Sequence, residues 1–261
     1  MKNVLFYHVY LRDNLDAWVH TVLEQLKSME DSQLLDNLHQ MKVVVISRDD
    51  SSRYHFKNLM ESYAPSGLEI EMVDNPFKTD LDMLAGLHTD EAITENYTFR
   101  KLYQFCGDNP DHYNICYVHN KGVTRTASPT SVSVKELKKY FYWRQLLNYG
   151  VLENWEDCVN ALEDHNTAGI NFYNTPSPHY SGNFWWATSE YINTLPDPST
   201  MDWWETLKSM SSDGWLQSAH HRFRDEQWLC QNPLGKFFNL YSPPNDLNPS
   251  STVLRSKEYI L

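Results

Sequence analysis

Four stretches of the sequence carry residue types that could act on a charged or hydroxyl-rich ligand. The first, Tyr117-Val118-His119-Asn120-Lys121-Gly122, closes an apolar segment. A polar trio and a glycine at the end of a buried strand suit a diphosphate. Lys121 supplies a point charge, His119 a donor, Asn120 an amide, and Gly122 lets the backbone turn. Arg125 follows closely. The competing reading is a turn with solvated side chains. In the second stretch, Pro178 to Trp186, His179, Ser181, Gly182 and Asn183 stand beside Trp185 and Trp186. Hydrogen-bonding groups next to indoles are the mix that grips a sugar, whose ring faces are apolar. Neighbours on a strand point to opposite faces, so the two indoles serve the core equally well. The third stretch, Arg222 to Leu229, sets Asp225 and Glu226 at the start of a short helix. Either carboxylate, Glu226 ahead of Asp225, can take a hydroxyl proton as general base. Helix dipoles also favour carboxylates there with no chemistry attached. The fourth is Trp143-Arg144 on an aromatic helix, taken together with Glu95 and Thr98. Arg144 suits a phosphate or a carboxylate. Glu95 is either a donor-side ligand or a solvated helix residue.

These residues need a scaffold, and the hydrophobic pattern supplies one. Residues 3–11 read as a strand; Leu15, Trp18, Val19, Val22 and Leu26 then mark one face of a helix over 15–29, with Asn14 as its cap. The apolar run at 41–48 fits a strand buried on both faces, 53–63 a weak helix, and the alternating 68–74 a third strand. This opening argues for a right-handed, Rossmann-like nucleotide-binding half. A helix is expected over 91–106, ended by Gly107, and a strand over 113–118. After a polar loop, Ser133 and Glu136 have capping-box spacing for a helix to about 149, and a second helix follows Gly150 with Val151, Trp155, Cys158, Val159 and Leu162 as its stripe. Strands are expected at 167–173, 183–187 and 236–241, a helix at 222–231, and irregular or short helical structure at 196–221. The expected architecture is one α/β domain over residues 1–241, with a mostly parallel central sheet flanked by helices. The tail 242–261 should pack on the surface or move.

Composition narrows the function classes. With 261 residues and 41% hydrophobic content, the chain can bury a large core. A net charge of −12 argues against general nucleic-acid binding. Cys106, Cys116, Cys158 and Cys230 form no CxxC pair and match no zinc spacing. No apolar run approaches a membrane span, and the first strand is too interrupted by Tyr7, His8, Arg12 and Asp13 for a signal peptide. A cytoplasmic location is expected. Nine Trp and sixteen Tyr suit a carbohydrate surface, although most must serve the core. There is no P-loop, Gly-x-Gly-x-x-Gly, Gly-x-Ser-x-Gly or His-Glu-x-x-His.

The order YVHNKG, YWRQLLNY, PHYSGNFWWA and DEQWL resembles a group of bacterial and viral glycosyltransferases with a GT-A-like fold, over residues 1 to 232. The resemblance implies a hexosyl- or pentosyltransferase using a nucleotide-sugar donor and an oligosaccharide or glycan acceptor. Better-studied GT-A enzymes carry Asp-x-Asp where this chain has His119-Asn120-Lys121. That departure implies that Lys121 and His119 replace a divalent ion at the leaving diphosphate, so no cofactor or metal is expected. Asp49-Asp50 is the other early acidic pair, better placed for a base or ribose. Direct, inverting displacement with Glu226 or Asp225 as base is the expected chemistry; retention stays open. The rivals are a non-catalytic saccharide-binding protein on the same scaffold and a nucleotide-sugar hydrolase.

Overall fold

A computed structural model describes residues 1–11, 15–63, 67–75, 95–109, 112–120, 134–217 and 223–241. The first half contains β1 (Lys2–Tyr10), α1 (Leu15–Asp31), α2 (Leu34–Asn37), β2 (Leu38–Ser47), α3 (Asp50–Tyr63) and β3 (Leu68–Asp74). Next come α4 (Glu95–Asp108), β4 (Tyr113–His119) and α5 (Val134–Asn148), which runs into a π turn at Tyr149–Glu153 and then α6 (Trp155–Ala161). The last part contains β5 (Thr167–Gly169), β6 (Phe172–Tyr173), β7 (His179–Tyr180), β8 (Trp185–Thr188), α7 (Ser189–Ile192), α8 (Asp202–Met210), α9 (Gly214–Gln217), α10 (Arg224–Trp228) and β9 (Phe237–Asn239).

Seven strands form one sheet in the order β3-β2-β1-β4-β8-β5-β9, and β6 pairs with β7 in a separate ribbon. β3, β2, β1 and β4 are parallel, β8 runs antiparallel to both its neighbours, and β9 is parallel to β5. The α/β class and the mostly parallel sheet match the sequence expectation. Alternation sorts the strand side chains into two cores. Leu5, Tyr7, Val9, Cys116, Val118 and Trp186 meet α1, whose Trp18, Val22 and Leu26 are buried and Val19 half-buried. Val4, Phe6, Ile115, Tyr117 and Trp185 form the other core with Phe99 and Leu102 of α4. Phe99 lies 4.6 Å from Tyr117 and 5.0 Å from Trp228, ring centre to ring centre.

Several boundaries differ from the sequence pattern, for local reasons. Gly107 lies inside α4 rather than beyond its end. The expected strand at 167–173 breaks into β5 and β6 because Asn171 is left-handed, with φ 63°. Asn183 at φ 60° likewise delays β8 to Trp185. The irregular region holds a nine-residue helix, α8, fastened by the buried Trp203 and Trp204. Directly after α5 the chain makes a π turn rather than starting a new α-helix. Gly150 there packs so closely on Ile170 that a Cβ would meet its Cγ2 at 2.4 Å. The wider turn disturbs the regular ladder, and side chains take up its carbonyls. Asn154 Nδ2 donates to Tyr149 O (2.7 Å), Cys158 Sγ to Gly150 O (3.4 Å), Trp186 Nε1 to Val151 O (2.9 Å) and Ser32 Oγ to Leu152 O (3.0 Å). Asn14, Ser133 and the tail 242–261 lie outside the described residues. Among the described residues, no helix is long and apolar enough to cross a membrane.

Candidate functional site

The strand order places β2 and β3 on one side of β1 and β4 on the other. Open α/β sheets bind ligands outside the carboxyl ends of their strands where the order reverses, here between β1 and β4. His8 and His119 face each other in register at that point. His8 Nδ1 is 2.8 Å from Thr98 Oγ1 of α4. Burial pulls the His8 imidazole from 6.5 down to about 4, with Glu95 opposing the shift and His119 adding to it. His8 is therefore neutral at pH 7.

Glu95, the first residue of α4, is the hub. Its Oε2 accepts from Tyr117 Oη at 3.0 Å and from Asn183 Nδ2 at 2.7 Å. Its Oε1 lies 3.8 Å from His119 Nδ1, and the Glu95 side chain keeps 24% of its surface open. Burial, reinforced by the Glu95 charge and the hydrogen bond to it, raises the Tyr117 phenol well above its usual range, so it stays a donor. His119 Nε2 is 3.0 Å from Gly182 O. A carbonyl only accepts, so Nε2 carries the proton and Nδ1 faces Glu95. Asn183 Oδ1 in turn accepts from Trp185 Nε1 at 2.9 Å. Gly182 adopts φ 100°, and a Cβ there would meet Leu147 Cδ1 at 2.7 Å, so this turn requires glycine.

The other residues singled out from sequence divide into site, support and core. Asn120 is a stitch: its Nδ2 donates to Tyr10 O (2.8 Å) and its Oδ1 accepts from Tyr10 N (2.9 Å), tying the end of β4 to β1. Arg144 binds Glu24 through two nitrogens, at 3.1 and 2.8 Å, and so clamps α5 to α1. Asp225 is 3% exposed, accepts from Asn96 N at 3.2 Å and contacts Arg224 Nε at 3.3 Å. Its carboxylate holds the first turn of α4, beside Glu95. Glu226 is half-buried next to it. Trp185 and Trp186 are fully buried, one in each core, which is the strand alternation and leaves neither indole as a surface platform. His179 Nδ1 lies 2.8 Å from Ser177 O, and its ring stacks on Tyr173. Ser181 is half-exposed on the turn itself. Lys121, Gly122 and Arg125 lie outside the described residues. Sequence reasoning passed over His8, although an imidazole amid the apolar run Val4–Tyr10 of a buried strand was a readable signal. The centrality of Glu95 had no comparable signal. The assembled group offers a carboxylate fixed on one edge, a neutral imidazole and an imidazole facing the same carboxylate: enough to hold hydroxyls and shuttle a proton.

Residues 6–233 match the model of a family described as Domain of unknown function (DUF8361), and the chain belongs to that family. No curated protein matches this sequence. Among solved structures, the crystal structure of 4-diphosphocytidyl-2C-methyl-D-erythritolsynthase from Anaerococcus prevotii DSM 20548 is similar at 10% identity. The match covers 92% of this chain and 88% of that chain, with a TM-score of 0.33. The family description names no activity, so the glycosyltransferase resemblance rests on the quoted motifs alone.

Proposed function

We propose that this member of the DUF8361 family is a glycosyltransferase that moves a sugar from a nucleotide-sugar donor to a saccharide acceptor. The observation that carries the reading is the Glu95, His119, Tyr117 and Asn183 cluster at the strand-order reversal, walled by the Ser181-Gly182-Asn183 turn. In this reading Lys121, His119 and Arg125 hold the leaving diphosphate, and Glu95 with Ser181 and Asn183 receives sugar hydroxyls. Glu226 removes the proton of the acceptor hydroxyl; that oxygen bonds to the anomeric carbon as the carbon–oxygen bond to the diphosphate breaks. Asp225 acts through α4 by holding Glu95 in place, and Arg144 and Asn120 support the frame. No metal is required.

The test is a screen of common nucleotide sugars, with EDTA or Mn²⁺, by melting temperature and nucleoside-diphosphate release. A donor at about 100 times its dissociation constant should stabilise the protein by about 2.7 kcal/mol. The expected result is release that survives EDTA, is lost in Lys121→Ala, and falls about a hundredfold or more in Glu95→Gln. Loss of turnover in EDTA would refute metal independence. Saccharide binding with no response to any donor would favour the non-catalytic rival.

A further inference from the structure

We propose that Asn171 is a ligand-binding amide that takes a hydroxyl or acetamido group of the saccharide, an assignment that rests on the saccharide reading of the site. Asn171 is 1% exposed, and among the described residues neither its Oδ1 nor its Nδ2 has a hydrogen-bond partner. Buried side-chain amides in folded proteins are almost always satisfied, and each unmade bond costs stability. Asn171 is also left-handed at φ 63°, one of three non-glycine residues with positive φ among the described residues. Unsatisfied polar groups and unusual backbone conformations together mark positions kept for something other than the fold.

The position of Asn171 links it to the site. Its carbonyl accepts from Ser181 N at 2.9 Å, and Ser181 leads into Gly182, whose carbonyl faces His119 Nε2. Asn171 thus backs the turn that walls the candidate site. Its own N–H donates to Tyr241 O at 3.1 Å, Leu240 N donates to Gly169 O at 2.7 Å, and Phe172 N donates to Asn239 Oδ1 at 3.3 Å. The amide is buried, so a ligand reaches it only with local opening of this turn, which these bonds tie to the segment at 239–241. A donor and an acceptor side by side complement a hydroxyl, which gives and takes one hydrogen bond, and equally an acetamido N–H and C=O. Relief of the unmet amide on binding favours the opening.

The experiment compares the full-length chain with Asn171→Gly, a residue at ease at this φ that leaves no amide unsatisfied. Melting is measured alone and with methyl glycosides of glucose, galactose, mannose and N-acetylglucosamine; nucleoside-diphosphate release from donors is a separate arm. The expected result is a higher melting temperature for the unliganded variant, together with at least a tenfold weaker glycoside response. A lower melting temperature would mean that the amide serves the fold, and would overturn the assignment. So would an unchanged glycoside response, or a wild-type chain that responds to no glycoside. If neither protein releases nucleoside diphosphate while the glycoside difference stands, the transferase reading fails and the role of Asn171 survives.

Discussion

Glu95 receives two hydrogen bonds on one oxygen, from Tyr117 and Asn183, and turns the other toward His119. His8 stays neutral because burial disfavours its charged form more than the Glu95 charge favours it. Its folded value, about 4, lies below the ordinary 6.5. Between those pH values the unfolded chain binds a proton that the native protein does not, so stability falls as pH drops through the window. The loss assigned to His8 approaches about 3 kcal/mol near pH 4. Urea unfolding of wild type and His8→Asn should show a stability gap that shrinks by about that amount from pH 6.5 to 4. A gap independent of pH would refute the assignment. His119 and Asn183 were legible because motifs announce them. The role of Glu95 was not, since its partners lie 22 and 88 residues away in the chain.

Among the elements, buried strands and amphipathic helices were read with small boundary errors, because periods of 2 and 3.6 survive in any sequence that packs a sheet between helices. What escaped were the places where one residue overrides the period: Asn171, Asn183 and Gly150. Two glycines give a matched test. Gly150→Ala forces a methyl into Ile170 and should cost about 2 kcal/mol, read as a lower urea midpoint with an unchanged slope. Gly107→Ala meets nothing within 4 Å and should be neutral or stabilise α4 by up to about 1 kcal/mol. Equal effects at the two positions would contradict the close contact at the π turn.

Across the whole molecule, a buried polar chain ties the helices to the site. Arg144 pairs with Glu24, Glu24 accepts from Asn148, Asn148 accepts from Gln25, and Gln25 also donates to His119 O while accepting from Tyr7 Oη. Arg144→Met strands a carboxylate and should destabilise by about 3 kcal/mol, partly recovered by adding Glu24→Gln. The donor KM should hold in the folded fraction; a raised KM with unchanged melting would make Arg144 a donor ligand instead. The spacing of Trp143-Arg144 marked the residue, but only the folded chain could name its partner. The π turn, finally, governs angular phase. Each helical residue advances the chain by about 100°. The extra residue in Tyr149–Glu153 resets the angle between the apolar stripes of α5 and α6. Deleting a single residue there would leave two good helices, but it would swing Trp155 and Cys158 away from the sheet. Length in this short stretch is therefore constrained more tightly than composition.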